Sequence, residues 1–189
     1  MTDAELLTLI AQGDKRAFTQ MMTRYLPAII NFAGRYFSQR SDAEDIAQET
    51  FIRLWCKSPD WRDDGISVKA WLFKVAYNQS IDQLRKQQPD YRPDADIDTI
   101  DEHAWIEKTT NNDVLSVQRK AALDGLPERQ CTALVLCAFK GFSNKEAALI
   151  MGISVEALES LLARGRRTLK KYYQHVCEHH ENRPYNDYV

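Results

Sequence analysis

The sequence predicts an all-α protein, because residues that interrupt helices are scarce and apolar residues recur at helical spacing. The 189-residue chain contains only 7 glycines and 6 prolines, and it lacks the apolar–polar alternation typical of strands. Charged residues make up 28% of the chain and hydrophobic residues 44%, an ordinary globular composition. We expect two small helical domains, an N-terminal helical bundle and a C-terminal helix-turn-helix domain, joined by an acidic flexible linker.

The predicted N-terminal domain, residues 1–88, opens with two helical patterns. A short amphipathic helix ends near Gly13. Helical periodicity then continues over residues 14–39. We expect Pro27 to kink this second helix or to split it in two, since proline removes a backbone donor and clashes with the preceding turn.

Serines mark the start of two further helices in this domain. Ser41 and Glu44 have the spacing of a capping box, in which each side chain bonds the backbone N–H of the other residue. A charged loop, residues 57–67, follows that helix, and Ser67 is expected to cap a long helix. Pro89 ends this helical block.

Residues 89–113 are predicted to form the linker. Residues 89–116 hold 8 acidic and 2 basic side chains, whereas residues 117–189 hold 8 acidic and 11 basic ones. A segment with so much charge of one sign and so little apolar periodicity is not expected to build a core. Trp105 and Ile106 are its apolar exceptions.

Helical periodicity resumes in residues 114–174, the predicted C-terminal domain, which residues 175–189 follow as a tail. Pro127 suits the first position of a helix, and Gly141 is expected to end that helix. Ser143 and Glu146 have the spacing of a second capping box.

The end of this domain has the layout of a helix-turn-helix. Gly152 fits the position just past a short helix, and Ser154 is expected to cap the last long helix, which reaches about Tyr173. A short helix, a glycine turn and a longer basic helix form the motif whose second helix enters the major groove of DNA.

The last helix is predicted to be amphipathic. At 100° per residue its apolar face holds Val155, Leu158, Leu161, Leu162, Gly165 and Leu169. Its polar face holds Glu156, Ser160, Ala163, Arg164, Arg167 and Lys171. We expect the N-terminal end of this face to meet base edges and its basic end to meet phosphates.

Two glutamates complicate that interpretation. Glu156 and Glu159 lie at the end that enters the groove, where phosphates would repel them. The Glu156 carboxylate can accept from the amino group of cytosine. It can equally be a helix-start charge that the helix dipole favours.

Aromatic and basic residues alternate in the helix after Ser67. One side is apolar and holds Leu72, Phe73, Ala76, Tyr77 and Leu84. The other side holds Trp71, Lys74, Asn78, Asp82 and Arg85. Trp71 beside cations and an amide suits a surface for unstacked bases, but the residues alone favour a core tryptophan next to a local Asp82–Arg85 ion pair.

The helix that begins near residue 41 carries four acidic side chains within nine residues. Ala43, Ala47, Phe51, Leu54 and Trp55 are expected to face inward. Asp42, Asp45, Glu49, Ile52 and Arg53 are expected to face outward, with Gln48 at the flank. Since no histidine precedes residue 103, a carboxylate metal site built on Asp42, Asp45 and Glu49 is disfavoured. A solvated face and a protein-docking surface stay open, and an exposed Ile52 favours docking.

Composition excludes several classes of protein. The N-terminus is acidic and lacks the basic region of a signal peptide, and no apolar run reaches the roughly 18 residues of a membrane span. The four cysteines form no C-x-x-C pair, so a reducing, cytoplasmic compartment is expected. The tail holds His175, Cys177, His179 and His180, but their spacing suits solvent better than one tetrahedral metal site. No cofactor, metal or membrane insertion is expected.

Five segments together resemble the extracytoplasmic-function sigma factors of bacterial RNA polymerase. They occur in the order that this family has, and they run over almost the whole chain. The segments are "GDKRAF" (13–18), "DAEDIAQETFIRLW" (42–55), "AWLFKVAYNQSIDQLR" (70–85), "LPERQ" (126–130) and "GFSNKEAALIMGIS" (141–154).

The resemblance implies a promoter-specificity subunit without enzymatic activity. It implies that the acidic helix docks on the clamp helices of the polymerase's largest subunit, through Asp45, Gln48, Glu49, Ile52 and Arg53. It implies that the downstream, minus-10 promoter element is melted and read as a single strand by Trp61, Trp71, Lys74, Asn78 and Arg85. It implies that the upstream, minus-35 element is read as duplex by Glu156, Ser160, Arg164, Arg167 and Lys171.

The resemblance also implies partners: core RNA polymerase, promoter DNA and an anti-sigma factor that holds the subunit inactive. One segment departs from the family pattern, because the last helix begins "VEALESLL" where many members have a basic, threonine-containing start. The alternative is a stand-alone helix-turn-helix regulator that binds duplex DNA without the polymerase. The N-terminal domain, which such a regulator does not need, favours the sigma factor.

Overall fold

The computed structural model describes residues 1–62, 65–87, 123 and 125–181, with side chains up to residue 174, and all regular structure in these ranges is helical. The all-α prediction is confirmed. The helices are α1 (Asp3–Ala11), α2 (Lys15–Ala33), α3 (Arg40–Lys57), a 3₁₀ turn (Ser58–Asp60), α4 (Val68–Gln87), α5 (Glu128–Leu134) with a π-helical end (Val135–Phe139), α6 (Asn144–Met151) and α7 (Val155–Glu181). None of the helices in these ranges is long and apolar enough to cross a membrane.

The chain divides into two compact units. The first contains Met1–Arg92 and Lys145–Ile153, and the second contains Pro93–Asn144 and Ser154–Val189. The predicted linker, residues 89–113, lies outside the described residues. The predicted domain boundaries therefore stay a prediction.

Helix α1 ends near Gly13, as the sequence predicts, and Thr2 caps its start. The Thr2 hydroxyl accepts from the Glu5 backbone N–H at 3.3 Å, while the Thr2 backbone N–H donates to a Glu5 carboxylate oxygen at 2.8 Å. This reciprocal capping box satisfies two N–H groups that a helix start leaves without partners. The chain reverses at Gly13, whose φ of +85° favours glycine.

Helix α2 excludes one of the two outcomes predicted for Pro27, a split of the helix, whereas the kink stays a prediction. Asp14 caps this helix by accepting from the backbone N–H groups of Arg16 and Ala17. The helix then runs through Pro27 without a break and ends at Ala33, six residues before the end of the predicted pattern. Pro27 and Thr23, whose carbonyl loses its helical donor, are both exposed, so water can bond that carbonyl.

The capping box predicted at Ser41 and Glu44 is wrong. Helix α3 begins two residues earlier, with Gln39 as its N-cap and no side-chain capping bond. Glu44 instead accepts from the Arg40 side chain at 2.7 Å, an i,i+4 ion pair on the exposed surface. Sequence spacing alone could not distinguish these two uses of the same carboxylate.

The core of the first unit lies where α2, α3 and α4 pack together. Phe32, Phe51 and Phe73 are at most 1% exposed there, and the rings of Phe32 and Phe73 lie 5.1 Å apart. Burying each of these side chains contributes about 1.5–3 kcal/mol to folding. The cap predicted for α4 is confirmed, because the Ser67 hydroxyl accepts from the Ala70 backbone N–H at 3.1 Å.

Helices α5 and α7 pack closely in the second unit. A Cβ atom added to Gly165 of α7 would lie only 2.8 Å from a methyl carbon of Leu134. Glycine at this position therefore lets α7 approach α5. Pro127 is the N-cap of α5 rather than its first helical residue, and the predicted end of this helix is confirmed at Gly141, where φ is +70°.

The turn between α6 and α7 is confirmed as predicted. Gly152 has φ of +65°, and the Ile153 backbone N–H donates to the Ala148 carbonyl at 3.1 Å. The Ser154 hydroxyl accepts from the Ala157 backbone N–H at 3.1 Å and so caps α7. Helix α7 continues to Glu181, eight residues beyond the predicted end near Tyr173, so residues 175–181 of the predicted tail belong to a helix.

Candidate functional site

The outer side of α3 is the first candidate surface. Asp45, Gln48, Ile52 and Arg53 are exposed, and Glu49 is half-buried. Ile52 exposes 47% of its surface and is the exposed large hydrophobic side chain of α3. The outward orientation predicted for these residues is confirmed, and they form one surface around Ile52.

The charges of this α3 surface are of both signs and partly paired. The Arg53 guanidinium donates to a Glu49 carboxylate oxygen at 2.9 Å. Both side chains are about half-exposed, so their pairing contributes only a few tenths of a kcal/mol. A central apolar residue inside a polar rim is the arrangement of a protein interface.

The inner side of α3 follows the predicted pattern with two additions. Ala43, Ala47, Phe51 and Leu54 are buried, whereas Trp55 is half-buried and packs edge-to-face on Phe18 of α2 at 5.1 Å. Ile46 and Thr50 are buried as well. The Thr50 hydroxyl donates to the Ile46 carbonyl at 2.7 Å, which satisfies this polar group inside the helix.

The second candidate surface is a tryptophan pair at the start of α4. The rings of Trp61 and Trp71 meet edge-to-face, with centroids 5.6 Å apart. Both residues are half-buried, and Lys74 is half-buried beside them on α4, whereas Asn78 and Arg85 are exposed. Trp71 is therefore neither a core residue nor fully exposed. Asp82 and Arg85 approach to 3.9 Å, a loose and exposed ion pair.

An open recess of about 590 Å³ lies beside Trp61. Its lining includes charged residues that the sequence analysis did not single out. They come from the end of α3, from the 3₁₀ turn and from the residues just after it, and the described lining is Lys57, Pro59, Asp60, Trp61 and Arg62. The density of charge around one tryptophan in "KSPDWRDD" was the signal that could have identified them.

The third candidate surface is the polar side of α7. Glu156, Ser160, Ala163, Arg167 and Lys171 are exposed, and Arg164 is half-buried. The opposite side is buried at Leu158, Leu161, Leu162 and Gly165. Arg164 donates to the Ser160 hydroxyl at 3.3 Å, one helical turn away. The predicted amphipathic division of this helix is confirmed.

The two glutamates at the start of α7 are both engaged within the protein. The pKa of the Glu156 carboxyl is lowered, first by a hydrogen bond from its own backbone N–H and then by one from the Ser154 hydroxyl. This geometry supports the helix-start role of Glu156. Glu159 accepts from the Asn144 side-chain amide at 3.2 Å.

The predicted residues thus lie on three surfaces, two of them in the first unit and one in the second. Among the described residues no group of three His, Cys, Asp or Glu side chains is arranged to hold a metal ion. The side chains of His175, Cys177, His179 and His180 lie outside the described range.

Comparison with known proteins identifies the class. Two family models match the chain: sigma-70 region 2 over residues 21–89 and sigma-70 region 4 over residues 120–169. The first match contains the α3 surface and the tryptophan pair. The second match contains α6 and most of the polar side of α7.

Individual relatives span nearly the whole chain. The RNA polymerase sigma-H factor of Pseudomonas aeruginosa is 29% identical and covers 91% of this chain and 94% of its own length. The sigma factor SigW of Bacillus subtilis is 28% identical, over 86% of this chain and 91% of its own length. The chain belongs to the extracytoplasmic-function sigma factors, which act as specificity factors in transcription initiation rather than as catalysts.

Two solved structures share the fold. CnrH in complex with the cytosolic domain of CnrY matches with a TM-score of 0.65 at 27% identity, over 91% of this chain and 97% of that one. The sigma factor RpoE of Bartonella quintana, in complex with the anti-sigma factor NepR, matches with a TM-score of 0.64 at 29% identity, over 83% and 96%.

Proposed function

We propose that this protein binds core RNA polymerase, recognises the minus-35 and minus-10 elements of its promoters and starts transcription there, without catalysis of its own. The observation that carries this proposal is the presence of three surfaces of different chemistry on one chain: a mixed-charge surface around an exposed Ile52, an aromatic pair, and a basic helix face. Each surface suits one of the three contacts that initiation requires. We also propose that the protein works in the cytoplasm, where the polymerase is.

The α3 surface is proposed to dock on the clamp helices of the polymerase's largest subunit. Ile52 provides the apolar centre, since it is the exposed large aliphatic residue of this helix. Asp45, Gln48, Glu49 and Arg53 provide the polar rim. Because Glu49 already pairs with Arg53, docking exchanges a weak internal ion pair for contacts with the partner.

The tryptophan pair is proposed to bind the minus-10 element as a single strand. Bases stack on exposed aromatic faces, and cations hold the phosphates. Trp61 and Trp71 provide the aromatic surface, while Lys74, Asn78 and Arg85 follow along the same side of α4. The recess next to Trp61 is of a size that small ligands commonly occupy.

The polar side of α7 is proposed to bind the minus-35 element as duplex. The basic end, with Arg167 and Lys171, contacts phosphates and positions the helix without reading sequence. Ser160 and Arg164 lie nearer the N-terminal end, where a recognition helix meets base edges. Glu156 mainly stabilises the helix start, because its carboxylate is held by Ser154 and its own backbone N–H.

An anti-sigma factor is the proposed regulator. The two structural relatives were solved as complexes, one with the cytosolic domain of CnrY and one with the anti-sigma factor NepR. This chain shares their fold over most of its length. A protein that covers the α3 surface or the α7 surface would prevent initiation by simple competition.

Transcription with purified core polymerase tests the proposal. We expect wild-type protein to bind core and to start specific transcripts, and Ile52→Glu to lose core binding while its helical content is unchanged. Ser38→Glu is the matched control, because it adds the same charge at an exposed position outside α3. If the protein fails to bind core but binds one duplex sequence tightly as a dimer, it is a stand-alone helix-turn-helix regulator instead.

A further inference from the structure

The N-terminus of the chain is tied to the middle of α2 by polar contacts that the proposed function does not use. The Asp3 carboxylate accepts from the Arg24 guanidinium and from the Tyr25 hydroxyl. Arg24 also donates to the Met1 carbonyl at 3.0 Å. Hydrogen bonds to a carboxylate are among the stronger ones in proteins, so Asp3 is the centre of a polar latch, defined here as Asp3, Arg24 and Tyr25.

Helix α1, which begins at the latch, packs on two elements. Leu6, Leu7 and Ile10 are at most 5% exposed, and α1 contacts both α2 and the 3₁₀ turn Ser58–Asp60. A helix of nine residues is not stable alone in water. The position of α1 therefore depends on its contacts with α2 and the 3₁₀ turn. The position of the 3₁₀ turn in return depends on α1.

The 3₁₀ turn leads directly into Trp61. Ser58 is 2% exposed, and its hydroxyl donates to the Trp55 carbonyl at 2.9 Å. The Trp61 backbone N–H donates to the Ser58 carbonyl at 3.3 Å, and the Trp61 ring then packs against Trp71. A continuous series of contacts thus joins the latch, α1, the turn and the tryptophan pair.

We propose that Asp3 and Tyr25 are positioning residues for the Trp61 surface, and that they act through α1 and the 3₁₀ turn. This inference rests on the proposed role of Trp61 and Trp71 in binding single-stranded promoter DNA. Neither residue touches the DNA. The latch keeps the 3₁₀ turn in the one arrangement in which Trp61 packs on Trp71 and borders the recess. Because this surface is formed before DNA binds, binding loses less conformational entropy.

Two variants and one control test the inference. Asp3→Ala removes the acceptor of the whole latch, whereas Tyr25→Phe removes a single hydroxyl. Arg40→Ala, the control, removes an exposed ion pair of the same unit with Glu44. The first readout is fluorine NMR of protein labelled with 5-fluorotryptophan, in which Trp61→Phe and Trp71→Phe assign the two resonances. The second is the affinity of the reconstituted holoenzyme for the single-stranded minus-10 segment of a promoter that it transcribes.

We expect Asp3→Ala to shift or broaden the Trp61 resonance and to weaken single-strand binding about three- to tenfold. Tyr25→Phe should have a smaller effect in the same direction, and Arg40→Ala none. Affinity for core polymerase and for upstream duplex should stay within twofold of wild type in all three.

Two results would overturn the inference. One is an Asp3→Ala protein whose Trp61 resonance and single-strand affinity match the wild type. The other is an Asp3→Ala protein that loses affinity for core polymerase as well as for the single strand. That result would mean that the latch stabilises the whole first unit rather than positioning Trp61. If wild-type holoenzyme itself does not bind the single strand, the proposed function of the tryptophan pair fails. In that case the Trp61 resonance alone decides whether the latch positions the turn.

Discussion

The outer sides of α3 and α7 are both exposed faces of amphipathic helices, yet they differ in the way their charges are arranged. On α3, charges of both signs surround an exposed Ile52, and Glu49 pairs with Arg53 one turn away. On α7, the acidic first turn gives way to Arg164, Arg167 and Lys171, all of one sign. A face with paired charges and an apolar centre suits a protein partner, whereas a run of cations suits phosphates. The difference in charge arrangement is the reason for proposing a different kind of partner for each helix.

The largest effect on stability is expected from a substitution on the buried side of α3, compared with one on its exposed side. Phe51 is 1% exposed and Ile52 is 47% exposed. Phe51→Ala should lower the free energy of unfolding by about 3–5 kcal/mol, because it leaves a cavity. Ile52→Ala should change it by no more than about 0.5 kcal/mol while weakening core binding. Urea denaturation of both variants measures the difference, and equal losses would contradict the assignment of Ile52 to a surface.

The acidic character of the α3 surface can be tested by charge reversal. Glu49→Lys should weaken binding to core polymerase by about tenfold, or roughly 1.4 kcal/mol, with the fold intact. Glu44→Lys is the matched control, since Glu44 lies on the same helix and pairs with Arg40 outside the proposed surface. Titration of labelled protein with core measures both affinities. Equal affinities for Glu49→Lys and wild type would remove Glu49 from the docking surface.

The contribution of the Ser154 cap to the stability of α7 can be tested by removing its hydroxyl. Ser154→Ala should lower the free energy of unfolding by about 1 kcal/mol, because the Ala157 backbone N–H loses its acceptor. The lowered pKa of Glu156 depends partly on the same hydroxyl. A lowered carboxyl pKa stabilises the fold at pH values above the unfolded pKa of 4.5, and this stabilisation disappears as the pH falls through the folded pKa. Ser154→Ala should therefore cost less stability in acid than at neutral pH. Thermal unfolding at pH 3 and pH 7 tests both points.

The single-sign face of α7 can be tested by salt dependence. Arg167→Ala should weaken upstream duplex binding by a similar factor for all sequences and reduce the log-log salt slope by about one, as expected for one lost phosphate contact. Arg16→Ala, an exposed arginine on α2, is the control. Binding by the holoenzyme between about 50 and 200 mM salt gives the slope. A slope that does not change within error would exclude Arg167 from the interface.

The smallest effect is expected from the N-terminal latch at high pH. Burial, followed by the hydrogen bond to Asp3, raises the pKa of Tyr25 from 10.0 to about 12. The protonated hydroxyl is the form that the fold stabilises. Its contribution is therefore complete below pH 10 and disappears as pH rises towards 12. Unfolding free energies of wild type and Tyr25→Phe should converge across this range, and a constant difference would contradict the role of the hydroxyl.

Much of the fold followed from local rules. The caps at Ser67 and Ser154 and the glycine turns at Gly13, Gly141 and Gly152 were correct, since each depends on one residue and its immediate neighbours. The capping box at Ser41 failed because Arg40 competes for the Glu44 carboxylate. The split that Pro27 could have caused is absent because an exposed helix turn tolerates the lost hydrogen bond, and exposure is decided by the packing of α2.

For the candidate site, the sequence by itself determined which residue types lie on which helix face. Helical periodicity placed Ile52 outward on α3 and the arginines outward on α7, and ordered motifs identified the family. Only the tertiary structure decided that Trp61 packs on Trp71, that Lys57, Asp60 and Arg62 border a recess beside it, and that Asp3 joins α1 to α2. The first and the last depend on contacts between different elements, and the recess depends on the path of the backbone after α3. Periodicity along a single helix carries no information about them.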